Sequence, residues 1–218
     1  MSERDFFSRR AEMVDRQLAA RGIDDERVLE AMRAVPRDVF VPREYRDAAY
    51  ADQALPIAGG QTISQPYVVA AICQALALRG DERLLEIGTG SGYSSAVLGR
   101  LAREVTTVER HPVLASGARR VLEQLGVTNV TVLLADGSRG LADRAPYDAI
   151  AVHALAPEDP GPFLDQLAPG GRLVVPLPGD ADDLLTLFTE MGGRFERQVL
   201  DFVRFVPLIS GGDLPEQR

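Results

Sequence analysis

The chain has 218 residues, 45% hydrophobic and 26% charged, with a net charge of −8. That is the make-up of a globular domain, and the acidic balance argues against a protein built to grip a nucleic-acid backbone. A single cysteine leaves no internal disulfide, and no stretch approaches the ~18 apolar residues of a membrane span.

The N-terminus, MSERDFFSRR, carries both charge signs and no apolar core, so it does not read as a signal peptide, and a cytoplasmic protein is expected. Residues 1–60 predict helices and loops. MVDRQLAARG stops at Gly22, and DERVLEAMRAV runs from acidic residues into Pro36. The segment 37–60 carries Pro42, Pro56, Gly59 and Gly60 among apolar and aromatic residues and predicts packed irregular structure. GGQTISQPY then leads into VVAAICQALAL, a helix apolar nearly all round. Pro66 suits its first position, which places Gln65 at the N-cap and Ser64 just outside. Cys73 lies in this run and reads as a core thiol rather than a nucleophile.

From residue 83 a strict alternation begins. RLLEIG is a strand, SGYSSAVLGRLA a helix, EVTTVE a strand and HPVLASGARRVLEQLG a helix. NVTVLLAD and YDAIAVHA are further strands, PFLDQLAPGG is a helix ending in glycine, and RLVVPLP is another strand. Such alternation predicts βαβ units around a parallel sheet. LLTLFTE, MGGR and FERQVLDFVRFVPLI then predict a hairpin and edge strands. The expected fold is α/β: one domain with a doubly wound, mostly parallel, Rossmann-like sheet, an N-terminal helical cap and C-terminal hairpin or edge strands. Its parts are a cap over 1–60, a βαβ core over 61–178, a β segment over 179–210 and a tail over 211–218.

LLEIGTGSGY places Gly88, Gly90 and Gly92 between a strand and a helix, where a tight turn lets a ligand approach backbone N–H groups. Glu109 ends the next strand, 21 residues beyond Gly88, where a carboxylate accepts from two ribose hydroxyls. Asp136 ends the third strand and faces the same edge. Taken singly, either acid reads as a solvated charge at a strand end; with the loop they read as a nucleotide cofactor site. A dinucleotide fingerprint wants Gly or Ala at position 93, but Tyr93 stands there, which suits a ligand without a pyrophosphate, namely S-adenosylmethionine.

Acid–base groups are scarce. The two histidines, His111 and His153, have no metal-ligand spacing, so no metal is expected, and no G-x-S-x-G elbow occurs. His111, before Pro112, suggests a capping or surface role, while His153 ends its strand beside the crevice. Methyl transfer from a sulfonium needs little more. An acceptor carboxylate, with a pKa of roughly 4, is already ionised at neutral pH and has only to be positioned. Ser64 and its neighbours at a helix N-terminus fit that task, although Ser64 and Thr62 equally suit simple helix capping.

GQTISQPY, LLEIGTGSGY, ADG at 135–137, YDAI with ALAP following, LAPGGRLVVPL and VRFVPL together resemble the protein-L-isoaspartate O-methyltransferase family, from about residue 10 to residue 209. The resemblance implies an S-adenosylmethionine-dependent enzyme that leaves S-adenosylhomocysteine and esterifies the free α-carboxylate of L-isoaspartyl residues in damaged proteins, which starts repair through a succinimide. Carried over by position, it implies Ser64 as the active-site serine. Gly88, Gly90 and Gly92 line the cofactor loop, Glu109 takes the ribose, Asp136 with Gly137 meets the adenine, and Thr62 and Ile63 flank the transferring group. Gln65, His153, Val206 and Pro207 fall on the acceptor side. His153 and Leu155 are bulkier than the small residues usual there, so acceptor preference is where this chain departs. Isoaspartyl proteins and peptides are the expected partners, without nucleic acid or membrane, and the chain is expected to be a monomer. The alternatives are a relative that esterifies an aspartate of one dedicated peptide, or a non-catalytic S-adenosylmethionine sensor. A nicotinamide oxidoreductase is disfavoured by Tyr93.

Overall fold

The strands at the centre of the molecule carry apolar residues on both faces, and such strands must be covered on both sides. In the computed structural model, which describes residues 3–211, they are. The strands β3 (Arg83–Ile87), β4 (Glu104–Glu109), β5 (Val130–Leu134), β6 (Tyr147–Val152) and β7 (Leu167–Leu177) pair in parallel. Two antiparallel strands, β8 (Asp183–Glu190) and β9 (Phe195–Val203), complete a seven-stranded sheet of order β5-β4-β3-β6-β7-β8-β9. The order reverses between β3 and β6, and at that switch point a crevice opens at the carboxyl ends of the strands. Successive residues face opposite sides. Leu84, Ala149, Ala151 and Val174 join one core cluster, while Leu85, Ile150, Val152 and Leu173 join another.

The first cluster is shared with the N-terminal cap. There α1 (Glu3–Glu12) runs into a π-helical turn at Met13–Leu18 and a 3-10 turn at Ala19–Arg21, and the chain stops at Gly22 with φ 92°. α2 (Glu26–Ala34) is capped by Asp25, whose carboxylate accepts from the Arg27 and Val28 N–H groups. The predicted irregular segment resolves into 3-10 turns and a two-residue hairpin, β1 (Leu55–Pro56) with β2 (Thr62–Ile63). α3 (Pro66–Leu76) starts at Pro66 as expected and buries Cys73. α4 (Tyr93–Leu101) and α5 (Pro112–Gln124) follow β3 and β4. Among the described residues no helix is long and apolar enough to cross a membrane.

One element differs from expectation. PFLDQLAPGG forms only a single helical turn, α6 (Gly161–Leu164), and Leu167 already pairs with Tyr147 in the sheet. Gln166 ends the helix. Its side chain donates to the Arg139 and Pro162 carbonyls and accepts from the Leu141 N–H at 2.7 Å, while its own carbonyl takes the Tyr147 N–H at 2.9 Å. The predicted tail beyond Gly211 lies outside the described residues.

Arg37 joins the cap to α4. It is fully buried, donates through Nε to the Ala49 carbonyl at 2.8 Å and lies 4.9 Å above the Tyr93 ring. Burial lowers its pKa to about 10, so it stays charged at neutral pH. Arg37→Ala would leave a cavity and an unpaired buried carbonyl, so a loss of about 2–4 kcal/mol is expected in denaturant unfolding. A loss within 0.5 kcal/mol, roughly the range of surface substitutions, would mean the cap does not depend on it.

Candidate active site

The loop between β3 and α4 turns on three glycines with positive φ: Gly88 at 92°, Gly90 at 55° and Gly92 at 89°. These angles are strained for any side chain, which explains the residue type. The N–H groups of Gly88 and Thr89 both reach the Val108 carbonyl, at 2.9 and 3.3 Å, and the Gly90 N–H donates to Glu109 Oε2 at 2.9 Å. Glu109 Oε1 accepts from the His111 N–H at 2.8 Å. Glu109 is buried, yet each carboxylate oxygen keeps a second acceptor site for a ligand. His111 itself stands at the α5 N-cap without a side-chain capping bond, so its expected capping role is confined to the backbone. Across the crevice, a Cβ on Gly137 would meet Ile87 at 3.0 Å and Val108 at 3.2 Å. A side chain there would need Ile87 and Val108 to give by a few tenths of an ångström.

Asp136 does more than face the crevice. Its Oδ1 accepts from the Ser138 N–H at 2.8 Å and its Oδ2 from the Gly211 N–H at 2.9 Å. Partial burial works against ionisation, but these bonds hold its carboxyl below the ordinary aspartate range. Arg110 donates to the Ile209 and Gly211 carbonyls at 2.7 and 2.9 Å, which draws the C-terminal segment across this end of the crevice. Neither Arg110 nor that strap was legible from spacing.

A second cleft adjoins the crevice at the start of α3. Gln65 is the N-cap, but no side chain caps the helix, and the Ser64 hydroxyl finds no partner among the described residues. Simple capping therefore accounts for neither Ser64 nor Thr62. Thr62, Ser64, His153 and Val206 line both cavities and form the wall between them. Ile63 and Pro207 lie on the crevice side and Gln65 on the cleft side. Val206 and Pro207 are held there because Leu155 donates to the Val206 carbonyl and accepts from the Leu208 N–H, both at 2.8 Å. Leu155 itself lines neither cavity.

The crevice is a partly open pocket lined by the glycine loop, Glu109, Asp136, Gly137 and the start of α3. Comparison with known proteins identifies the family. A family model for protein-L-isoaspartate(D-aspartate) O-methyltransferase matches residues 8–213. The chain belongs to the protein-L-isoaspartate(D-aspartate) O-methyltransferase family. It is 51% identical over 201 residues to the protein-L-isoaspartate O-methyltransferase of Koribacter versatilis, covering 92% of this chain and 90% of that one. It is 52% identical over 202 residues to that of Methanoculleus marisnigri, covering 92% and 91%. A solved protein-L-isoaspartate O-methyltransferase structure superposes with a TM-score of 0.81 at 30% identity, covering 94% of this chain and 67% of that one.

Behind the crevice this methyltransferase family member carries a polar network that sequence reading missed. Glu86, on β3, is fully buried. Ser95 donates to its Oε2, and His153 Nε2 lies 3.3 Å from its Oε1 and 2.7 Å from Ser94 Oγ. Burial pushes the Glu86 carboxyl up, but His153, Ser95 and Thr107 together hold it below the ordinary glutamate value. The signal was present: RLLEIG carries one acid in a strand otherwise apolar from Leu84 to Ile87.

A depressed folded value means that Glu86 adds stability above the ordinary carboxylate range, and that this stability is lost as pH falls through the folded value. Glu86→Gln should therefore flatten part of the acid limb of unfolding free energy against pH, below about pH 5. An acid limb identical to the parent's would contradict this placement.

Proposed function

We propose that this chain methylates the free α-carboxylate of L-isoaspartyl residues in peptides and proteins, using S-adenosylmethionine, and acts as one methyltransferase domain. The observation that carries this reading is the shared wall. The crevice beside the glycine loop and an open cleft meet at Ser64, whose hydroxyl has no hydrogen-bond partner among the described residues, at the start of a largely buried helix. The crevice fits the cofactor on its own chemistry. Glu109 keeps acceptor sites for two ribose hydroxyls, Gly88, Gly90 and Gly92 keep the loop backbone bare, and Gly137 leaves room where a side chain would crowd Ile87 and Val108. Asp136 and Gly137 then face the adenine, and Thr62 and Ile63 border the reacting group.

When bound, S-adenosylmethionine supplies an electrophilic methyl group whose leaving group is a neutral thioether. The protein needs no base, because the acceptor arrives ionised. Ser64 donates to one carboxylate oxygen and leaves the other free to attack. The positive end of α3 favours the anion, and Gln65 and Val206 hold the flanking peptide, while Pro207 borders the crevice rather than the acceptor side expected for it. His153 closes the wall on the acceptor side. After release, the next backbone nitrogen attacks the ester, methanol leaves, and the succinimide hydrolyses partly to normal aspartate. The expected setting is a cytoplasmic monomer whose partners are damaged proteins rather than nucleic acid or membrane.

Matched peptides containing isoaspartate, aspartate or neither, with radiolabelled donor, test the reading: label should enter only the first. Preference for ordinary aspartate would point instead to a dedicated peptide substrate. Two variants separate the halves of the site. Ser64→Ala should lower kcat/KM by about 10- to 100-fold and leave S-adenosylhomocysteine affinity within about threefold. Glu109→Ala should weaken that affinity by about 10- to 100-fold in calorimetry. Equal losses of both properties in Ser64→Ala would reduce Ser64 to a structural role.

A further inference from the structure

The cleft beside Ser64 carries charges of its own: Arg21, Asp182, Asp201 and Arg204 line it. Arg204 Nε donates to Asp182 at 3.1 Å, with the two side chains 87% and 39% exposed. That pair is neutral as a whole and solvated, and such pairs contribute little. Asp201 accepts from the Phe202 N–H at 2.8 Å. Arg21 differs from these. Its Nη1 donates to Asp52 Oδ2 at 2.5 Å, and Asp52 lines neither the cleft nor the crevice. The cleft therefore meets the Arg21 guanidinium, while its counter-ion is held outside.

A second contact fixes that group. Arg21 is the last residue of the 3-10 turn before Gly22, and its guanidinium carbon lies 3.7 Å from the centroid of the Tyr67 ring, in van der Waals contact with the ring face. Tyr67 is the second residue of α3, three beyond Ser64, and lines the same cleft. A guanidinium carries five N–H donors in a rigid planar fork. One is committed to Asp52, and the others have no partner among the described residues, although the side chain is 44% exposed and open to a ligand. The ion pair and the aromatic contact hold these free donors in place, so little ordering remains when a peptide binds.

We propose that Arg21 is a specificity-determining residue of the acceptor cleft, which selects peptides with an acidic side chain at one position flanking the methylated residue. This rests on the isoaspartyl reading and names a preference within it. A carboxylate can take two parallel charge-assisted bonds from the free donors, where a neutral side chain takes weaker ones. A lysine or arginine side chain at that position meets like charge. Asp201 lines the same cleft and repels an acid placed beside it, so the preference belongs to one position and is not spread along the peptide.

The test uses isoaspartyl peptides that differ only by Glu, Gln or Lys at single positions on either side of the isoaspartate. Turnover on the full chain gives KM and kcat, and calorimetry on S-adenosylhomocysteine-loaded protein gives affinity without chemistry. In ~0.1 M salt, Glu at one position should lower KM about three- to tenfold relative to Gln, with Lys raising it and kcat nearly level. In ~1 M salt the difference should shrink to within about twofold. Arg21→Gln should abolish the Glu–Gln difference and leave the KM of the Gln peptide within about threefold of the parent's. Arg21→Lys, which keeps the charge but not the fork, should give a Glu–Gln ratio between those of the parent and Arg21→Gln. A parent with equal affinity for Glu, Gln and Lys at every position overturns the proposal whether or not the variants fold, as does an Arg21→Gln variant that keeps the parent's preference. Charge preference in calorimetry without transfer to any isoaspartyl peptide would instead overturn the acceptor reading and leave the selection by Arg21 standing.

Discussion

The Glu109 carboxylate accepts from the Gly90 N–H at 2.9 Å and from the His111 N–H at 2.8 Å, and these two bonds tie the turn after β3 to the turn after β4. The tie is possible because the two strands run parallel in a register that sets Ile87 beside Val108, so both chains leave the sheet at the same level. It fixes the mouth of the crevice before any ligand is present. A site of this kind gains by preorganisation, since groups already in place need not be ordered when the ligand binds. The positive φ angles, which glycine adopts freely, make that arrangement possible, and the buried strands beneath supply the rigidity that keeps it.

On the acceptor side the constraint is what the helix start lacks. α3 opens with proline at its first position and Gln65 at its cap, and no side chain closes its N-terminal N–H groups. In a buried helix these donors and the aligned peptide dipoles favour an anion. The chain thus sets a preorganised crevice beside the open start of a helix, and Ser64 stands in the wall between crevice and cleft. His153 stands in the same wall, with Ser94 in contact with its Nε2 and Glu86 behind it.

Much of this was legible in the sequence because it depends on local rules. Glycines needing positive φ, an acid at the end of the second strand, proline at a helix start and alternation of apolar runs each have one physical meaning in context. The failures share a different cause. PFLDQLAPGG has helical composition, but Gln166 spends its side chain on a loop some 25 residues earlier, and no local pattern announces that partner. The Glu86–His153–Ser94 contacts join three elements, β3, the end of β6 and α4, so only the register of the sheet brings them together. Asp136 was placed correctly, yet its bond to Gly211 depends on where the C-terminal segment returns, which spacing does not encode.

The central claim is that the crevice and the cleft hold donor and acceptor on either side of one wall, with Ser64 between them. A crystal structure with S-adenosylhomocysteine and an isoaspartyl peptide bound together measures this directly. The thioether sulfur should lie in the crevice with the ribose on Glu109, and the peptide's free carboxylate should lie within hydrogen-bond reach of Ser64 Oγ. A carboxylate bound elsewhere, or a Ser64 turned away from both ligands, would contradict the account.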